Sequence, residues 1–173
     1  MPKRRHKRLP TPWQQAKPAI LAGLEAALVG RGFLEPGLVM SRRRSDFIDV
    51  IELWSKYGTD CVVFFGCEPA RPGDPVPRMS SCTFRDTVHG QLAIPSDPAL
   101  LPQFVGDNLV PRVVHVVESW FPRFASLESA SSLLDDRTSE LCGFNKPSPA
   151  YAQARAKLDE CIRQRSEVFS PRV

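Results

Sequence analysis

Three consecutive guanidinium side chains, Arg42, Arg43 and Arg44, form the densest chemistry-bearing feature beyond the first residues of this sequence. Each offers planar, paired donors that match a carboxylate or a phosphate. On a strand, alternation sends Arg42 and Arg44 to one face and Arg43 to the other. Arg85 and His89, on a later strand, are candidates to join them in a patch that would hold an anionic group of a partner. The carboxylates Asp46, Asp49, Glu52 and Asp86 fall on the same or neighbouring strands and fit two roles. They pair with the arginines across a hairpin, where such pairs add about 0.2–1 kcal/mol to register. Alternatively, two or three meet on a sheet face, where grouped carboxylates bind a metal or share a proton.

Other catalytic patterns are sparse. The chain contains no GxGxxG, GxxxxGK, GxSxG or HExxH. Of its three histidines, His6 lies in the basic N-terminal run and His115 falls opposite an apolar helical stripe. His89 sits seven positions from Cys82, which on a straight strand puts imidazole and thiol on opposite faces and argues against a thiol nucleophile. The five cysteines, Cys61, Cys67, Cys82, Cys142 and Cys161, are odd in number, irregularly spaced and without a CxxC pair. Free thiols in a reducing compartment are expected, with neither a metal nor another cofactor.

Charge is uneven. The formal net charge is +4, yet Lys3, Arg4, Arg5, Lys7 and Arg8 alone supply five positive charges, so the chain beyond Leu9 is near neutral. Such a run cannot bury enough surface to offset its ordering entropy, so residues 1–10 are predicted to be a disordered basic tail ahead of a single domain over residues 11–173. The tail would attract any polyanion, DNA or RNA included. Pro10, Pro12, Pro18, Lys17 and Glu25 interrupt the stretch that follows, which therefore reads as a helix and not as a signal peptide. No apolar run approaches the roughly 20 residues that cross a bilayer, so a soluble cytoplasmic protein without membrane contact is expected.

The elements that must position these residues follow from periodicity. Thr11 and Pro12 start a helix over about residues 12–30, with Trp13, Ile20, Leu24, Ala27 and Leu28 on one face and Gly30 and Gly32 at its end. Pro18 should kink that helix or mark its true start. Strands are predicted at 38–43, 47–56, 61–68 and 82–89, joined as antiparallel hairpins, with the third apolar on both faces and central. Four prolines in residues 69–77 exclude that segment from a sheet and make it a mobile loop or an edge crossing. Asp97 with Pro98 opens a helical region whose stripe of Val113, Val116, Val117, Trp120 and Phe121 ends before Pro122. Ser126 and Ser148 begin the last two helices. The predicted fold is α+β, an N-terminal helix, a four-stranded antiparallel sheet and three to four C-terminal helices, with one hydrophobic core.

Three stretches, AGLEAALVGRGFLEPGLVMSRRRSDFIDVIELW, CVVFFGCEP and VVHVVESWFPRFASLESASSLL, together cover roughly residues 20–134 and are similar in pattern to an uncharacterised bacterial family of small α+β domains of unknown function. The basic tail and the Ala-rich last helix depart from that pattern. The resemblance implies the fold and no catalytic residue. Relatives of this kind look similar to small proteins that accompany bacterial toxins or phage-defence genes, which implies a protein partner such as a toxin or a defence-complex subunit. The expected function is thus a non-enzymatic protein-binding module, an immunity or defence-system component. It would hold its partner through an exposed sheet face and the proline-rich loop, with Arg42, Arg43, Arg44, Arg85 and His89 in contact. The alternative is a nucleic-acid-associated accessory protein that uses Lys3, Arg4, Arg5, Lys7, Arg8 and the hairpin arginines.

Overall fold

The computed structural model describes residues 9–34, 37–88, 90, 92–136 and 149–169 of the 173-residue chain. The tail residues Lys3, Arg4, Arg5, Lys7 and Arg8 lie outside them, as do His89, Cys142 and Ser148. The fold is α+β, as the periodicity predicts.

Helix α1, Pro12–Leu28, opens on a capping box. Gln14 N–H donates to Thr11 Oγ1 at 3.3 Å, and the Gln14 side chain accepts the Thr11 N–H at 2.9 Å. Pro18 stays inside the helix, on its exposed side, and the start remains at Pro12. Ala16, Ile20, Leu24 and Leu28 form the buried stripe, and a 3-10 turn at Val29–Arg31 ends at Gly32, whose φ of 83° is left-handed.

The sheet runs in the order β1 (Val39–Arg43), β2 (Phe47–Trp54), β3 (Asp60–Pro69), β4 (Phe84–Thr87), all antiparallel. A two-residue β5, Leu92–Ala93, pairs with the start of β3 and makes a fifth strand that the sequence pattern does not announce. Register assigns the faces. Phe47, Asp49, Ile51 and Leu53 of β2 align with Cys67, Phe65 and Val63 of β3 on the inner face, while Ile48, Val50, Glu52 and Trp54 share the outer face with Phe64 and Gly66. Gly66 is required by close approach: a Cβ there would stand 2.6 Å from the Phe84 carbonyl oxygen of β4.

The helical layer covers the inner face. From residue 101 to 124 the chain is continuously helical but not uniform: α2 (Leu101–Gln103) and α3 (Val110–His115) alternate with π turns at Phe104–Leu109 and Val116–Trp120 and end in a 3-10 turn, Phe121–Phe124. Each π turn directly precedes a proline-bearing turn. Val110 N–H reaches the Val105 carbonyl and Phe121 N–H the Val116 carbonyl, five residues back, just before Pro111 and Pro122. Widening the turn relieves the clash of each ring with the carbonyl four residues earlier, so the helical path passes Pro122 where the sequence predicts its end. Trp120, Phe121 and Phe124 then meet the inner face, with ring centroids 4.9 Å apart for Phe65–Trp120 and 4.7 Å for Phe84–Phe124. Ser126 caps α4 (Leu127–Asp135), and α5 (Pro149–Phe169) buries Ala154 and Leu158.

A second, small apolar cluster of Ile48, Val50, Met79 and Cys82 lies on the outer face, where the sequence predicts only one core. It forms because β2 is apolar on both sides from Phe47 to Ile51 and segment 70–83 folds back over it.

Asp49 is fully buried on the inner face, 0% exposed, and is bound by two arginines of β1 and its turn. Arg42 donates to Oδ2 through Nε at 3.0 Å and Nη2 at 2.7 Å, and Arg44 Nη2 donates to Oδ1 at 2.6 Å. Breaking such a buried pair from one side leaves uncompensated charge, at a cost of about 3–5 kcal/mol. Asp49→Ala is therefore expected to lose about that much stability in chemical denaturation, with Asp49→Asn, equal in volume, recovering only part. A loss under about 1 kcal/mol would show that the cluster is a solvated surface pair.

Candidate partner-binding site

The sheet divides the predicted arginines. Arg42 and Arg44 point to the inner face, as their parity requires, and meet on Asp49. Each also donates to a main-chain carbonyl, Arg42 Nη1 to that of Arg31 at 3.1 Å and Arg44 Nη1 to that of Phe124 at 2.7 Å, while Arg44 Nε is buried without a hydrogen-bond partner among the described residues. Arg42 stacks over Phe33, 4.8 Å from the ring centre, and Arg44 over Phe47 at 5.4 Å. Arg43 and Arg85 lie on the outer face. Arg85 is thus not brought to Arg42 and Arg44, and a single patch containing all three does not form. His89 lies outside the described residues.

The predicted carboxylates separate in the same way. Asp49 is consumed by the arginine pair, while Asp46 accepts the Leu127 N–H at the start of α4 and pairs with Arg165 of α5 at 3.1 Å. Glu52 lines the outer groove described below, and Asp86 touches its edge although it stands opposite inward-facing Phe65 in the register. His115 is exposed. Among the described residues no three His, Cys, Asp or Glu side chains converge as metal ligands, and no helix is long and apolar enough to cross a membrane.

The outer-face arginines hold the proline-rich loop. Arg43 Nη1 donates to the Arg71 carbonyl at 3.0 Å and its Nη2 to the Asp74 carbonyl, while Arg85 Nη1 donates to the Ser80 carbonyl. Within the loop, Arg71 N–H donates to the Asp74 carboxylate at 2.9 Å around Gly73, φ 92°, and that bond together with the Arg71 charge lowers the Asp74 pKa. The segment is neither loose nor part of the sheet; it lies across the outer face, tied at both ends.

Beyond Met79 this face is open. Trp54 is 48% exposed, its ring 6.3 Å from that of Phe64, and with Met79, Glu52, Arg85 and Thr87 the pair lines a largely apolar groove of about 530 Å³. Arg85 and Ser80 also border a second hollow of about 410 Å³, polar in character and closed by Glu68, Thr83, Gln153 and Lys157. There Glu68, buried, accepts the Thr83 N–H at 2.6 Å and pairs with Lys157 of α5. The sequence does not single out Trp54, Phe64 or Met79, because their types are those of core residues; the available signal is the end of alternation at Trp54, followed by the polar turn Ser55–Lys56.

The thiols near this site are held protonated. Burial first, and then the negative charge of Glu68, raises the Cys82 pKa to about 12; burial and Asp60 do the same for Cys61. No family model matches the chain, and no curated protein or solved structure matches it either. Function must therefore be argued from the site.

With a pKa near 12, roughly one Cys82 thiol in ten thousand is ionised at pH 8, far below a free thiol. Native protein treated with iodoacetamide at pH 8 and mapped by mass spectrometry should label half-buried Cys161 before Cys61 or Cys82. Rapid labelling of Cys82 would instead identify an activated thiol beside the groove and restore an enzymatic reading.

Proposed function

We propose that this protein is a non-enzymatic protein-binding module and that its partner docks on the open outer face of the sheet. One observation carries the reading: Trp54 is nearly half exposed beside Phe64 on the part of the sheet face that the loop over 70–83 leaves open, whereas Trp120, Phe121 and Phe124 are buried. Exposed aromatic side chains at an apolar hollow with a polar rim are what protein interfaces use as anchors. Val76 of the proline-rich loop, Tyr57 and Val39 add exposed apolar surface. The protonated state of Cys82 supports a binding role over a thiol-based one. The finer reading, a bacterial immunity or defence component facing a toxin or a defence-complex subunit, rests on the resemblance of the three sequence stretches alone. A nucleic-acid role would draw on Lys3, Arg4, Arg5, Lys7 and Arg8, since Arg42 and Arg44 are already committed to Asp49.

A photoreactive amino acid placed at position 54, and separately at exposed Val29 at the end of α1, tests the proposal in cells of the source organism. The expected result is a discrete protein adduct from position 54 and none from position 29. Equal adduct patterns from both positions, or adducts with nucleic acid alone, would contradict it.

A further inference from the structure

Arg85 stands where the two outer-face hollows meet, bordering both the apolar groove at Trp54 and the polar hollow at Glu68. Among the described arginines it is the one that lines the apolar groove. Arg31, Arg42, Arg44, Arg71, Arg155, Arg163 and Arg165 each pair with a carboxylate. Arg85 pairs with none among the described residues; its one bond goes from Nη1 to the Ser80 carbonyl. A guanidinium has five donors, and this bond anchors one end of it without neutralising its charge. The result is a pre-oriented cation with free donors at the rim of an apolar groove, an arrangement that lowers the ordering cost of binding a carboxylate. It sits on β4, where the strand order of the sheet ends, so β4 is paired on one side only among the described residues. An extended segment can lie along such an edge and present alternate side chains to one face.

We propose that the groove takes an extended segment of a partner protein in which an apolar side chain lies against Trp54, Phe64 and Met79 while an aspartate or glutamate close by in the same segment is held by Arg85. This deepens the protein-binding reading and rests on it. Charge complementarity selects the occupant. Glu52 on the wall disfavours a second acidic group within the groove, and Glu68 is already met by Lys157, which leaves Arg85 as the groove's cation without a paired carboxylate among the described residues. A partner bearing a single carboxylate beside its apolar anchor supplies Arg85 with its counter-ion.

The test is a display selection of random ten-residue peptides on the full chain, followed by binding measurements on the enriched sequences. Peptides that pair an apolar residue with a nearby Asp or Glu are expected, and Trp54→Ala should abolish their binding. Changing the peptide acid to its amide should weaken binding to the wild type by about tenfold, the loss of a charge-assisted contact. Arg85→Gln retains a donor for the Ser80 carbonyl, and its melting curve reports whether the loop and fold persist. Against this variant the acid-to-amide change should have almost no effect, a coupling that a merely structural role for Arg85 would not produce. Trp54-dependent peptides without an acidic residue, or the same acid-to-amide loss in wild type and Arg85→Gln, would overturn the carboxylate assignment and leave the groove a protein site. If no Trp54-dependent peptide is enriched, both the assignment and the protein-binding reading fail.

Discussion

A carboxylate with no access to water holds this fold together. Asp49, on the inner face of β2, would cost several kcal/mol to bury alone. It is tolerated because Arg42 and Arg44 both bind it, and their importance extends beyond charge. Each arginine carries a further donor to a main-chain carbonyl at the end of a helical segment: Arg31 at the end of the turn that follows α1, and Phe124 at the end of the run over 101–124. Helix C-termini leave carbonyls without intrahelical partners and carry partial negative charge, so a guanidinium there is doubly favourable. One buried negative group thereby fixes two cations, and these fix the ends of two helical segments against the hairpin. Next to it, Asp46 receives the first N–H of α4 and an arginine of α5, so the same hairpin tip also positions the last two helices.

This arrangement separates structure from recognition across the thickness of one sheet. Arginines that face inward are held by a carboxylate, carbonyl oxygens and aromatic rings. Those that face outward, Arg43 and Arg85, meet only carbonyl oxygens of the loop over 70–83. The loop in turn covers Ile48 and Val50 through Met79 and stops there, which leaves Trp54 exposed and Phe64 half-buried at the edge of that cluster. Gly66 contributes by letting β4 approach β3 closely enough to bring Arg85 to the groove.

Much of this was legible locally. The caps at Thr11, Asp97 and Ser126, the buried stripe of Val113 to Phe121 and the central place of β3 follow from side-chain chemistry and periodicity within a few residues. Parity also pairs Arg42 with Arg44. Local pattern could not tell that their shared face is the interior, because β2 is apolar on both sides and two of the groups that cover the arginines, the Phe121 ring over Arg42 and the Phe124 carbonyl bound by Arg44, come from far along the chain. Arg85, one strand beyond, has the opposite facing, and only the register of β3 with β4 reveals it. Trp54 was hidden for a simpler reason: an exposed tryptophan has the same letter as a buried one, and the β2 alternation says which face it takes without saying what covers that face. The two-residue β5 is too short to leave a pattern, and Pro122 is accommodated by a π turn that no residue type announces.

The central claim is that the hairpin arginines are locked inside while Arg85 is available outside, and the exchange of arginine side-chain Hε protons with water, measured by NMR on the folded protein, addresses it directly. The Hε of Arg42, bonded to Asp49, and that of Arg44, enclosed beside Phe47, should exchange at least about tenfold more slowly than the Hε of Arg85. Equal, fast exchange at all three positions would mean that the Asp49 cluster is open to solvent, and with it the division of the sheet into a structural face and a recognition face would fall.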